Sequence, residues 1–215
     1  MSATNPDLTI LVFAKAPVPG LAKTRLIPLL GAEQAAALQS RLLRHALATA
    51  SSAAPACLEL WCAPDADHPT LIAAAQAHGA TLHVQHGDDL GRRMAHAFTD
   101  ALQRTAKALC IGTDCPALTA QHLHEAAVAL GTGHDAVFAP AEDGGYTLVG
   151  LSKNEPRLFD NIEWSSERVM QQTREHARNC GLRWHELETL WDVDRPADWQ
   201  RLQQSGLLDA IPSRA

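Results

Sequence analysis

An α/β fold, a parallel or mixed sheet with helices on both faces, is predicted by three observations. Strand-like and helix-like patterns alternate along the whole chain. The first strand-like run, Leu8–Phe13, is apolar without a break and β-branched at Thr9, Ile10 and Val12, as suits a strand covered on both faces. Finally, the apolar run Ala108-Leu109-Cys110-Ile111 leads into Thr113-Asp114-Cys115-Pro116, so a strand delivers a carboxylate to the sheet's C-terminal edge and proline stops it. Open α/β sheets bind their ligands along that edge.

Each element follows from its pattern. After Leu8–Phe13 comes a Pro- and Gly-bearing loop to about Pro28, then a helix over Glu33–Ala50, where Leu38, Leu42, Ala46, Leu47 and Ala50 share one face. Cys57–Cys62 reads as a strand, Pro69–His78 as a short helix and Thr81–Val84 as a strand. Leu90–Thr105 carries Met94, Ala97, Phe98, Ala101 and Leu102 at helical spacing, and Ala108–Gly112 is the strand already described. Thr119 is placed to cap a helix whose buried side holds Leu123, Ala126, Ala127 and Leu130. Ala136–Ala139 and Tyr146–Leu151 are strand-like and flank Glu142-Asp143-Gly144-Gly145. A helix over Ser166–Asn179 stops at Gly181, and a last one runs from about Ala197 to Gln204 after Trp191-Asp192-Val193-Asp194 and a proline.

Length and composition bound the rest. The 215 residues suit one domain spanning 1–215, and no linker, repeat or low-complexity stretch divides them. A net charge of −6 without a basic block gives no general attraction for nucleic acid or anionic lipid, so any phosphate must be gripped locally. Five cysteines without a C-x-x-C pair read as reduced, mostly buried thiols. No stretch reaches the roughly 18–20 apolar residues of a membrane span. Met1–Asp7 lacks the basic-then-apolar plan of a secretory signal, and the expectation is a cytoplasmic protein.

Four segments can carry chemistry. In Lys15–Leu26 three cations, Lys15, Lys23 and Arg25, surround Gly20 and Thr24 just beyond the first strand, where α/β folds place phosphate loops. Neither G-x-x-x-x-G-K-[ST] nor G-x-G-x-x-G is present, and a solvated basic loop is the plain alternative. Asp114, supported by Asp192 and Asp194, could hold a divalent cation against phosphates; turn formation and helix capping are the alternatives. In Glu142–Tyr146 two glycines permit close approach to a ligand and Asp143 could orient or deprotonate an acceptor hydroxyl, although Asp-Gly between strands is equally a hairpin turn. The segment Gln85–Met94, with Gly91 at a helix start, could offer amides to an anion or simply supply an acidic first turn. His122 and His124, two apart on a helix, point to different faces and make no metal pair.

Together, Phe13-Ala14-Lys15-Ala16-Pro17 through Lys23-Thr24-Arg25-Leu26, Gly112–Pro116 and Glu142–Tyr146 resemble the bacterial GT-A-like glycosyltransferases of poorly known function, some labelled arsenosugar-biosynthesis glycosyltransferases, within the nucleotide-diphospho-sugar transferase superfamily. The resemblance runs from about Leu8 to Trp199. The superfamily also contains nucleotidyltransferases, and Asp192–Asp198 is similar to their D-x-D/N-T-P-E-D ending, with Arg195 and Ala197 departing from it. Many GT-A glycosyltransferases carry D-x-D where this chain has Thr113-Asp114-Cys115.

The resemblance implies a three-layer GT-A-like sandwich with a mostly parallel mixed sheet. It implies Mg²⁺ or Mn²⁺ held by Asp114 and Asp194, and a nucleotide or nucleotide-sugar donor bound by Lys15, Gly20, Lys23, Thr24, Arg25, Gly91, Gly145 and Tyr146. Asp143, Lys23 and Arg25 are the expected catalytic residues and a small molecule the acceptor. The expected reaction is glycosyl transfer; nucleotidyl transfer and a non-catalytic nucleotide-binding module are the alternatives.

Overall fold

The computed structural model of the protein describes residues 5–208; of the opening segment Met1–Asp7, residues 1–4 lie outside them. Its centre is β1 (Asn5–Lys15), which pairs in parallel with β2 (Pro55–Ala63) on one side and β4 (Lys107–Gly112) on the other. With β3 (Thr81–Val84), β5 (Ala136–Pro140), β6 (Tyr146–Leu151) and β7 (Trp184–Glu186) they form one seven-stranded sheet in the order β3-β2-β1-β4-β6-β5-β7. Only β6 runs antiparallel to its neighbours. The chain moves outward from β1 to β2 and β3, then crosses back to β4 on β1's other flank. Strand order therefore reverses between β1 and β4, the place where open α/β sheets leave a crevice.

Alternation along β1 divides the core as a buried strand requires. Leu8, Ile10, Val12 and Ala14 enter one apolar layer with residues of α2 (Ala32–Ser52), α3 (Pro69–His78) and α5 (Ala120–Gly131). Leu11 and Phe13 enter the other, with Met94 and Phe98 of α4 (Leu90–Leu102) and Met170 of α6 (Val169–Asn179). Leu26, Leu38 and Leu42 make a third, smaller core with Trp191, Val193, Leu202 and Leu208. That core fastens the segment before α7 (Pro196–Ser205) against α2. A four-residue helix α1 (Ile27–Leu30) precedes α2.

Two sequence-based helix boundaries shift by three residues, and one strand goes unforeseen. α4 stops at Leu102 instead of Thr105, because Arg104 N and Thr105 N both turn back to Ala101 O and the Thr105 hydroxyl meets that of Thr9 at 2.8 Å. α6 starts at Val169 instead of Ser166, because the Ser166 hydroxyl accepts from Arg168 N in a local turn. β7, three residues long, has no periodicity to reveal it. Thr119 does cap α5: its hydroxyl accepts from His122 N while the His122 ring accepts from Thr119 N. No helix among the described residues is long and apolar enough to cross a membrane.

Candidate active site

Because β1 and β4 are neighbours and Phe13 faces Gly112 in register, the loops that follow them open on one cavity of about 510 Å³. β6 runs the opposite way, so its first residues and the turn before it arrive at the same edge. That turn closes through Gly144 N to Ala141 O and Ala141 N to Gly145 O. An isolated bridge between Ala141 and Leu190 then leads the chain into Trp191–Asp194 at the rim. Lys15, Asp114, Asp143, Asp192 and Asp194 all line this cavity. A second cavity of about 600 Å³ adjoins it and shares Asp143, Ser165, Asp192 and Asp194.

The three cations of the first loop have separate fates. Lys15 is exposed and lines the first cavity, with no ion-pair partner among the described residues. Lys23 turns inward. Its backbone lies in the left-handed region at φ 48, and its side chain is 3% exposed. The ammonium stands 2.8 Å from Asp114 Oδ1 and donates to Val193 O at 2.6 Å. Arg25 is exposed, pairs with Asp194 and faces the second cavity. Lys23 is thus an internal counter-charge that joins the first loop, the tip of β4 and the C-terminal segment, with Val193 N to Asp114 O at 2.8 Å completing the joint. As a phosphate hand it is already taken.

Asp114 is held from several sides. Its Oδ1 receives both Lys23 Nζ and the Thr113 hydroxyl, the latter at 3.1 Å, and Thr113 in turn accepts from Gln39 Nε2 at 2.9 Å. Asp143 is exposed; its Oδ1 accepts from Gly145 N at 2.8 Å, which fixes the turn. Asp192 has its carboxyl pushed up to about 6, first by burial, then by the charges of Asp143 and Asp114, with Lys23 opposing. The rim therefore carries more negative charge than Lys23 neutralises. An all-oxygen donor set with surplus negative charge fits a hard divalent cation, with Asp114, Asp192 and Asp194 able to hold it.

Other expected ligands are placed differently. Gly91 is buried in the first turn of α4, where a Cβ would come within 2.5 Å of Phe159 O and 2.9 Å of Trp164; its lack of a side chain serves close packing, and it is absent from the wall of the first cavity. Gly20 stands open at a loop tip with φ 84, and its neighbours Leu21 and Ala22 line the cavity instead. Thr24 and Gly145 do line it. Tyr146 lines it too, but burial drives its phenol well above its ordinary range and its hydroxyl points to Met94 Sδ at 3.9 Å in the core. It presents a ring, not a proton.

Sequence reasoning left Gln39 out altogether, and from the candidate segment Gln85–Met94 it singled out Gly91 instead of Gln85 and Arg93; all three omitted side chains line the first cavity. Gln39 had a findable signal, an amide on the apolar face of α2 between Leu38 and Leu42, where burial demands a partner. Gln85 sits just past β3 and gives its amide hydrogens to Ala14 O and Trp61 O. Arg93 comes from the first turn of α4, which Asp89 caps by accepting from Arg92 N.

Two further groups are inert. Cys115 and Cys62 are no nucleophiles, since burial pushes their thiols up to about 11 and about 12. Glu59, His83 and Asp100 are clustered closely enough to suggest a metal site. The guanidinium of Arg104 already bridges Glu59 Oε1 at 2.7 Å and Asp100 at 2.6 Å, while Trp61 Nε1 takes Glu59 Oε2 at 2.9 Å. A cation is built into that cluster already.

A sheet of this order with its loops gathered over the β1/β4 crevice is the GT-A-like fold of nucleotide-dependent transferases. Within that class the chain belongs to the bacterial family DUF2064, described as uncharacterized proteins conserved in bacteria, whose model matches residues 38–166. A crystal structure from Desulfovibrio desulfuricans G20, provisionally named a nucleotide-diphospho-sugar transferase, is 32% identical, with TM-score 0.85 over 96% of this chain and 89% of that one. Two more distant structures share the fold. A CMP-2-keto-3-deoxy-manno-octonic acid synthetase complexed with CTP is 11% identical, with TM-score 0.62 over 94% of this chain and 99% of that one. Glucosyl-3-phosphoglycerate synthase from Mycobacterium tuberculosis, solved with Mn²⁺, UDP and glucosyl-3-phosphoglycerate, is 10% identical, with TM-score 0.58 over 96% of this chain and 77% of that one. No curated protein matches the chain in sequence.

Proposed function

We propose that this chain works as one transferase domain, in the cytoplasm, moving a glycosyl group from a nucleotide-activated donor to a small acceptor with the help of Mg²⁺ or Mn²⁺. The observation that carries the reading is the pair of adjoining cavities, one on each side of a shared carboxylate wall of Asp143, Asp192 and Asp194. The donor's diphosphate belongs in the first cavity, where Lys15 and Arg93 are available to grip its oxygens and Lys23 keeps Asp114 in place. Asp114, Asp192 and Asp194 would hold the metal, which when bound neutralises charge on the departing diphosphate. Asp143 stands where an acceptor hydroxyl in the second cavity would surrender its proton, its carboxylate steadied by Gly145 N.

The chemistry of the second cavity favours glycosyl over nucleotidyl transfer. Its wall holds six carboxylates (Glu142, Asp143, Glu167, Asp192, Asp194, Asp198) against two arginines, Arg25 and Arg195. Both Arg25 and the nearby Arg201 are paired with carboxylates, Asp194 and Glu142. A phosphorylated acceptor, as in nucleotidyl transfer from an NTP to a phosphorylated small molecule, would be repelled there; a neutral polyol or an amine would not. The test is a product assay with Mn²⁺ and panels of nucleotide sugars and NTPs. Free NDP from a nucleotide sugar, lost in Asp114→Asn, supports the reading. Pyrophosphate from an NTP supports the alternative, and nucleotide binding without turnover on any acceptor marks a binding module.

A further inference from the structure

The carboxylate at the end of β4 is linked to a buried amide on α2 through the hydroxyl of Thr113. Gln39, on the apolar face of α2, is 5% exposed, and Thr113 is equally buried. An amide nitrogen can only donate, so Gln39 Nε2 at 2.9 Å occupies an acceptor lone pair of the Thr113 hydroxyl. The hydroxyl's single proton is then free to go to Asp114 Oδ1, at 3.1 Å. Lys23 Nζ, at 2.8 Å, donates to the same oxygen. Both donors fall on Oδ1, and Oδ2 receives no hydrogen bond among the described residues. The carboxylate is 48% exposed, so it keeps an open side toward the cavity.

We propose that Gln39 is the positioning residue of the metal-holding carboxylate: by donating to Thr113 it directs the threonine proton on to Oδ1 of Asp114 and so presents Oδ2 to the cation. This rests on the reading that Asp114 holds a divalent metal. Partners that orient a metal ligand from behind commonly contribute about 10–100-fold to metal affinity. The amide on α2 thereby ties helix, strand tip and ligand into one line, Gln39 to Thr113 to Asp114.

The experiment is Mn²⁺ binding to the full chain, followed by the loss of the free-Mn²⁺ electron paramagnetic signal, for wild type and five variants. Asp114→Asn abolishes the site. Gln39→Met, close in volume but without a donor, binds Mn²⁺ about tenfold more weakly. Thr113→Val weakens it alike, Thr113→Ser retains wild-type affinity, and the Gln39→Met/Thr113→Val double variant is no weaker than Thr113→Val alone. A residue that merely packs would leave Mn²⁺ affinity unmoved or act additively with Thr113. Wild-type affinity in either Gln39→Met or Thr113→Val overturns the proposal while leaving the metal site standing. Absence of any Mn²⁺ binding that Asp114→Asn removes overturns the metal site, and the positioning role with it. Should Gln39→Met fail to fold, the contrast between Thr113→Val and Thr113→Ser decides the matter.

Discussion

Lys15 and Lys23 lie eight residues apart in one loop, yet they should respond to mutation in opposite ways. Lys15→Ala touches nothing structural, so stability stays within about 0.5 kcal/mol of wild type, while nucleotide affinity falls. Lys23→Met removes a buried ammonium from Asp114 and Val193 O, and chemical denaturation should register a loss of about 2 kcal/mol. Asp192 gives a pH signature. Its carboxyl sits at about 6, above the usual carboxylate value, so ionising it costs folded-state stability above that pH and costs nothing once both folded and unfolded states are protonated. Asp192→Asn should therefore melt higher than wild type without metal at pH 7–8. The gap should close as pH falls through about 6 toward 4. A gap independent of pH would contradict the assigned cause. The sequence displayed all of these side chains but not their directions. Lys23 is turned inward by a left-handed backbone and by a carbonyl 170 residues away, and neither has a local signature.

At the scale of elements, most of the architecture was legible and its reason is periodicity. α3, β3 and β6 fall within the residues their patterns predict, because an amphipathic stripe or a bounded apolar run reports burial directly. β7 and the four-residue α1 were not legible; three or four residues carry no period. The Glu142–Gly145 turn combines two readings that the sequence left open, since it is a hairpin connection and also a wall of both cavities. Gly144 explains how: with φ 90, a Cβ there would lie 2.1 Å from Glu167 O, and its own carbonyl accepts from Met170 N. Gly144→Ala must push the turn off the segment that precedes α6. We expect more than about 2 kcal/mol of destabilisation, from the steric overlap and the unfavourable backbone together, measured as a lower denaturation midpoint.

For the molecule as a whole, the telling feature is that charges of both signs meet at the strand-order reversal, with Lys15, Lys23 and Arg93 beside Asp114, Asp143, Asp192 and Asp194. The edge of the sheet that carries the cavity could be anticipated, since βα alternation and an Asp at a strand tip point to the C-terminal edge. The strand order and the antiparallel β6 could not, because pairing partners are set by long-range packing that no window of sequence contains. The charge of the second cavity, which we propose takes the acceptor, sets a whole-molecule expectation. In competition assays with Mn²⁺ and a productive nucleotide sugar, neutral polyols or amines should be glycosylated, and their phosphate esters should be poor substrates by tenfold or more. Equal use of both would remove the charge argument against phosphorylated acceptors.

The third apolar core holds part of the rim in place. Trp191 and Val193 reach the rim only by nesting with Leu26, Leu38 and Leu42 alongside Leu202 and Leu208 from beyond them. Without that core, neither Asp192 nor Asp194 would be held at the rim, and Lys23 would lack the Val193 carbonyl to which it donates. The segment running from Trp191 into α7 therefore carries two of the carboxylates that line both cavities, and the third core decides whether they stand there.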